Sequence, residues 1–236
     1  IKSRKHVSLP RMNFKNNINS SKLLLLLFLC FSLFACSSQL KKQTHNTNSM
    51  SAATTINSTP QDLDTAVFAA GCFWCTEAVF QQVNGIKKVV SGYSGGRVPG
   101  HPTYREICSG LTGHAEVIQI TFQPDVITYE DILVIFMTTH DPTTLNQQGA
   151  DKGTQYRSVI FFHDSNQETI ASSVINTLSS YFNKPIVTEV TMLDVFYEAD
   201  KEHQNYYNNN SNQGYCSFVI APKLAKLRKL HSNKLK

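Results

Sequence analysis

The chain has 236 residues, with 22 Lys and Arg against 17 Asp and Glu and a formal charge of +5. Six of the basic residues and none of the acidic ones fall within residues 1–35, so the remainder holds 16 basic against 17 acidic residues, a balance of −1. The basicity belongs to one short segment, and no nucleic-acid partner is expected from it.

Lys22 is followed by an apolar run over residues 23–35 that only Ser32 interrupts, well short of the roughly 20 residues a spanning helix needs. A charged front, an apolar middle and the small Ala35 read as a signal peptide, with Met12 as its start and residues 1–11 upstream of it. Leu33-Phe34-Ala35-Cys36 resembles the bacterial lipoprotein signal, which implies lipidation of Cys36 and attachment to the cell envelope, facing the periplasm. Residues 37–61 are polar and small, without an aromatic side chain, and read as a flexible tether. The expected organisation is therefore residues 1–35 as upstream sequence and signal, 36–61 as lipidation cysteine and tether, and 62–236 as one domain large enough for its own core.

Within the domain, apolar runs and alternation predict strands at 65–70, 86–92, 115–122, 156–162 and 186–192. Helical spacing predicts helices at 73–83, 129–139, 166–182, 198–207 and 223–231. Thr128 and Ser165 are expected N-caps, the latter boxed with Glu168, and Pro222 suits the start of the last helix. Irregular loops are expected at 92–113 and 140–155. Strands mixed with helices and joined by long loops give an α+β class rather than a wound parallel sheet.

The chemistry concentrates in Gly71-Cys72-Phe73-Trp74-Cys75, between the first strand and the first helix. A glycine turn before a helix places Cys72 where the helix dipole favours a thiolate. The only tryptophan in the chain, Trp74, and its neighbour Phe73 supply an aromatic wall. Cys72 and Cys75 have the C-x-x-C spacing of a redox pair. Two structural disulfides among Cys72, Cys75, Cys108 and Cys216 are the alternative, and zinc lacks a second ligand pair. Cys216 follows an asparagine-rich run and is expected on a mobile segment, while Cys108 is expected as a core-facing free thiol. Glu198, Glu202 and His203 read as a solvated helix face, and no metal is assigned.

These blocks resemble the peptide methionine sulfoxide reductase A family. The resemblance runs through Gly92-Tyr93-Ser94-Gly95-Gly96, the segment from Pro102 to Gly110, Thr112-Gly113-His114-Ala115-Glu116, His140-Asp141-Pro142-Thr143, Gln148 to Ser158, Phe196 to Tyr206 and Gly214-Tyr215-Cys216. It implies a two-layer α/β sandwich with a mixed sheet and a ferredoxin-like core. It makes Cys72 the nucleophile, Phe73 and Trp74 the receptor for the substrate methyl, and Glu116 the proton donor to the sulfoxide oxygen. Tyr104 and Tyr156 would hydrogen-bond that oxygen, with Asp151 a supporting polar residue. Oxidised proteins are the implied substrate and a thioredoxin-like dithiol the implied reductant, with no resident cofactor, and a monomer is expected.

The chemistry of a sulfoxide agrees: a polar S–O group between apolar arms needs an apolar receptor, aimed donors and a neutral carboxyl. Cys75 departs from the family signature, where glycine is the common residue. Two resolving thiols therefore compete, with Cys216 expected to act first and Cys75 either resolving directly or passing the disulfide on. A general thiol-disulfide oxidoreductase and a binding lipoprotein with structural disulfides remain as alternatives.

Overall fold

The computed structural model describes residues 62–236. The signal peptide, Cys36 and the tether expected over 37–61 lie outside the described residues.

Besides the 3-10 turns and one π-helical turn, fourteen α-helices and strands follow in order among the described residues: β1 (Asp64–Ala70), α1 (Phe73–Gln81), β2 (Ile86–Ser94), α2 (Tyr104–Cys108), β3 (Ala115–Phe122), α3 (Tyr129–Thr139), β4 (Gln147–Gln148), β5 (Asp151–Lys152), β6 (Ser158–Phe162), α4 (Ser165–Leu178), β7 (Glu189–Met192), β8 (Phe196–Glu198), α5 (Tyr206–Asn209) and α6 (Ala221–His231). The main sheet runs β7-β6-β1-β3-β2-β8. Its inner four strands, with α1 and α3 as crossovers, form the β-α-β-β-α-β unit of a ferredoxin-like core. β1 pairs antiparallel with β3 and β6, and β3 with β2, while the edge pair β6–β7 is parallel. The sheet is mixed and the class α+β, as expected.

Strand alternation divides the core. Ala66 and Phe68 of β1, Ile118 and Ile120 of β3 and Ile160 of β6 face the helices and pack with Phe80, Phe136 and Leu133. Phe68 lies against Phe136 with ring centroids 4.7 Å apart. The alternate residues Val67, Ala69, Ala115, Val117, Val159 and Phe161 pack on the other face with Leu193 and Phe196. Glu116 sits two residues before Ile118 and so belongs to the helix-side face.

α3 begins where expected, because the Thr128 hydroxyl accepts from the Asp131 N–H at 3.1 Å. α4 begins one residue earlier than expected: Asp164, not Ser165, is the cap, its carboxylate accepting from Gln167 N–H at 2.8 Å. The Ser165–Glu168 box therefore gives way to a cap tied to β1, since the Gln167 amide donates to the Thr65 carbonyl at 2.8 Å. The same helix stops at Leu178 and continues as a 3-10 turn.

The helix expected over 198–207 does not form. Residues 196–198 pair with β2 instead. The Gln204 side chain takes both the N–H and the C=O of Ser91, and Asn205 adopts a left-handed φ of 53° that breaks helical continuity. Tertiary hydrogen bonds to the sheet outweigh local helical spacing. The loop expected over 92–113 contains α2, whose Thr103–Glu106 capping box is complete, and the loop over 140–155 contains the β4–β5 hairpin. Tyr156 closes a 3-10 turn ahead of β6 rather than opening the strand, and only Glu189–Met192 of the stretch 186–192 is strand. Cys108 ends α2 exposed, not core-facing, because Ile107 is the residue of that short helix that turns inward.

Candidate active site

β1 ends at Gly71, whose φ of +85° is open to glycine and strained for other residues. A Cβ there would lie 2.5 Å from the Cβ of Gln148, so the turn is pressed against the hairpin loop. Gln148 is fixed in turn by Asp141, accepting its N–H at 3.1 Å and donating to its carbonyl at 3.0 Å. Cys72 then caps α1 through its backbone, with its carbonyl accepting from Cys75 N–H at 3.1 Å. Both thiols are buried.

The helix N-terminus does not favour a Cys72 thiolate as its position predicts. The free N–H of Phe73 donates to Glu116 Oε2 at 3.0 Å, so the carboxyl takes the donor that a thiolate would have used. Burial, with Cys75 and Glu116 nearby, holds the Cys72 thiol well above its ordinary pKa. The hydrogen bond with Cys72 draws Cys75 down to about 7 against its burial, helped by Lys223 and Tyr215. Once one proton is lost the two sulfurs share the other, so the first ionisation belongs to the pair.

Glu116 is 1% exposed. Burial pushes its carboxyl up to about 8 against the Phe73 N–H, and Asp151 and Cys75 push in the same direction as burial. At neutral pH it is a neutral acid within reach of the nucleophile's helix. Tyr104 opens α2 and Tyr156 closes the 3-10 turn, and both hydroxyls are held protonated by burial and by Glu116. Cys72 and Asp151 act on Tyr156 as well, so the fold gathers Cys72, Cys75, Glu116, Tyr104, Tyr156 and Asp151 into one electrostatic cluster.

The aromatic wall is larger than the sequence motif. Phe73 is almost fully buried and lies under Tyr93, Tyr104 and His203, with ring centroids 5.8, 6.4 and 5.4 Å away. Trp74 is half-buried and stacks on Tyr206 at 3.6 Å and 5°, with the Tyr215 ring edge-on at 5.9 Å. His203 is buried between Trp74 and Tyr104 rather than on a solvated face, its ring 4.3 Å from that of Tyr104. The Glu77 carboxylate holds this wall, accepting from the N–H groups of Asn205 at 2.8 Å and Tyr206 at 3.2 Å.

Tyr215 is the other residue that the motif did not single out. Its hydroxyl donates to Asp151 Oδ2 at 2.9 Å and stands 3.7 Å from Cys75 Sγ. Its place next to Cys216 was the available signal. Cys216 is fully buried, not carried on an open segment, and opens the π-helical turn Cys216–Ile220 that runs into α6. Burial raises its thiol, and its charged neighbour is Cys75. Among the described residues no group of three His, Cys, Asp or Glu side chains is placed to hold a metal ion.

A buried thiol pair, a neutral buried acid, two phenolic donors and an aromatic wall are suited to taking oxygen from a sulfur held between apolar arms. Comparison with known proteins points the same way. The family model described as peptide methionine sulfoxide reductase matches residues 64–235. The peptide methionine sulfoxide reductase MsrA of Deinococcus radiodurans is 54% identical over 173 residues, covering 72% of this chain and 84% of that protein. The enzyme of the same name from Ralstonia nicotianae is 52% identical over 181 residues, covering 74% and 94%. Among solved structures, reduced Mxr1 of Saccharomyces cerevisiae superimposes with a TM-score of 0.62 at 32% identity, over 69% of this chain and 94% of that one. Methionine sulfoxide reductase A of Corynebacterium diphtheriae gives 0.60 at 34%, over 68% and 80%. The chain belongs to the peptide methionine sulfoxide reductase family.

Proposed function

We propose that the chain reduces methionine S-sulfoxide, free or within oxidised peptides and proteins, to methionine, and that the cluster around Cys72 does so in three thiol steps. The observation that carries this reading is Glu116, neutral and buried, bonded to the first N–H of the helix that Cys72 caps. The S epimer is the one handled by the A-type enzymes.

The substrate methyl rests on the aromatic wall of Trp74 above Phe73, and its S–O bond points at Tyr104, Tyr156 and Glu116. Asp151 orients Tyr215 beside the thiols. Cys72 attacks the sulfoxide sulfur as Glu116 protonates the oxygen, and the oxygen passes to Cys72 as a sulfenic acid while methionine leaves. Cys75, hydrogen-bonded to Cys72 in the reduced protein, attacks the sulfenic acid and expels water, forming a Cys72–Cys75 disulfide. Cys216, whose charged neighbour is Cys75, then attacks Cys75 Sγ and releases Cys72 as a thiol. A thioredoxin-type dithiol, which leaves oxidised, reduces the Cys75–Cys216 bond. The order departs from the expectation that Cys216 meets Cys72 first. What supports it is the hydrogen bond between the Cys72 and Cys75 thiols, which stand one helical turn apart at the start of α1.

One equivalent of a methionine sulfoxide peptide, given to reduced protein without reductant, should yield one methionine and a Cys75–Cys216 disulfide. Cys216→Ser should stop at Cys72–Cys75. A Cys72–Cys216 bond with Cys75 still reduced overturns the order, and no methionine overturns the activity.

Export and lipidation at Cys36 are proposed from residues 12–36 alone. Cys36→Ser should move the protein from the membrane fraction to the soluble envelope fraction, and an unchanged distribution rejects the anchor.

A further inference from the structure

The described residues contain all 17 acidic residues of the chain and 14 of its 22 basic ones. Six of those 14 lie between Lys223 and Lys236, where no acidic residue occurs, and the rest of the domain holds eight basic against 17 acidic. The domain is thus an acidic body with one basic helix. Three of the six cations are engaged: Lys234 with Asp131 at 2.8 Å, Arg228 with the Gln82 amide at 3.3 Å and Lys236 with the Gln81 carbonyl at 2.8 Å.

α6 buries Leu224 and Leu227. The opposite face, on helical spacing, presents Pro222, Ala225, Lys226 and Lys229, all exposed. The π-helical turn ahead of it exposes Phe218, with 84% of its surface free. Phe218 is two residues from Cys216, the sulfur that the proposed function leaves oxidised. An exposed aromatic side chain near Pro222 and Ala225, rimmed by lysines, has the anatomy of a binding hot spot.

We infer that Phe218, Pro222, Lys226 and Lys229 form the docking surface for a dithiol reductant protein with an acidic face. The inference rests on the reading that Cys216 belongs to the terminal disulfide. A reductant must bring a thiolate into line with that bond. Cys216 is buried on the inward side of the π-helical turn that carries Phe218 outward, so this turn has to swing open for the sulfur to be reached. A reductant seated on Phe218 and α6 holds the turn on both sides of that movement. An acidic face is repelled by the body and attracted by α6, which fixes the approach. The reductant thiolate bonds to Cys216 Sγ and the Cys75–Cys216 bond breaks, releasing Cys75 as a thiolate that takes a proton. The reductant's second thiol then displaces Cys216, which leaves as a thiol, and the reductant departs as a disulfide with two electrons transferred. Cys72 is by then a thiol again and can hydrogen-bond Cys75 Sγ, which makes Cys75 a good leaving group. An anionic lipid surface fits less well, because Phe218 is the only large apolar side chain on this outward face.

The test uses the full chain, a methionine sulfoxide peptide, and a purified acidic bacterial thioredoxin with its reductase and NADPH. Phe218→Ser and the double variant Lys226→Glu/Lys229→Glu should each raise KM for thioredoxin at least tenfold at low salt. Turnover supported by dithiothreitol should stay at the unaltered protein's rate. Salt should weaken thioredoxin use by the unaltered protein and leave the double variant nearly insensitive. An unchanged KM for thioredoxin in both variants overturns the inference, as does an equal loss with dithiothreitol. Loss of binding to phosphatidylglycerol vesicles with KM for thioredoxin unchanged assigns the surface to lipid and also overturns it. Cys216→Ser separates the two readings: full thioredoxin-supported turnover by that variant rejects the role of Cys216, while KM in the helix variants still decides the surface.

Discussion

In the proposed mechanism Glu116 works by being uncharged, and its environment sets the pH at which that ends. Its folded pKa of about 8 lies above the ordinary 4.5 because burial outweighs the Phe73 N–H. The carboxyl is mostly protonated a unit or more below that value and loses its proton as pH rises through it, so the sulfoxide-reducing step should fall about tenfold per unit above pH 8. Between 4.5 and 8 the folded chain keeps a proton that the unfolded chain releases, so stability declines by about 1.4 kcal/mol per pH unit over that window. Glu116→Gln should abolish reduction, remove this decline and melt above the unaltered protein at pH 9, with the difference shrinking toward pH 5. A variant with the parent's pH–stability slope would refute the assignment. Tyr215 acts on the next step. Tyr215→Phe removes a hydroxyl that lowers Cys75, so the pH midpoint of disulfide formation in a single turnover should move up. The rate at neutral pH should drop roughly two- to tenfold. An unmoved midpoint would leave Tyr215 with a packing role only.

At the scale of elements, the segment from Phe196 to Tyr206 shows where sequence reading succeeds and where it stops. β3 and α3 have the bounds that alternation and the Thr128 cap predict, because each is decided by residues within it. The stretch 198–207 is decided from outside, by Ser91 of β2 and by the Glu77 carboxylate, so its helical spacing misleads. His203 thereby joins Tyr206 in the wall around Trp74 instead of lying on a solvated face. Glu77 is legible only as a helical position, yet it is 1% exposed and holds two N–H groups of that segment. Glu77→Ala leaves both donors unmatched and should cost about 1–3 kcal/mol of stability. Since Tyr206 stacks on Trp74, KM for a sulfoxide peptide should rise more than kcat falls. A normal KM with lowered melting would detach Glu77 from the substrate wall.

At the scale of the molecule, the ferredoxin-like order follows from four strands whose apolar content is plain in the sequence, while β8 and the β4–β5 hairpin are too short to carry a periodic signal. That Cys72, Glu116, Phe73 and Trp74 gather at one site was legible because they lie in contiguous blocks. The supporting contacts of Tyr215 and Glu77 were not, because each spans more than sixty residues. Cys108 draws the same lesson in reverse. The fold hides Cys72, Cys75 and Cys216 and leaves Cys108 at the surface. The fold therefore shields the thiols that the proposed mechanism spends and displays one that it does not. A bulky maleimide should label the native reduced domain once, at Cys108, and Cys108→Ser should leave it unlabelled until denaturant is added. The same accessible sulfur makes two copies prone to cross-link in concentrated, aerated stocks, and a dimer band that vanishes in Cys108→Ser would report storage chemistry rather than assembly.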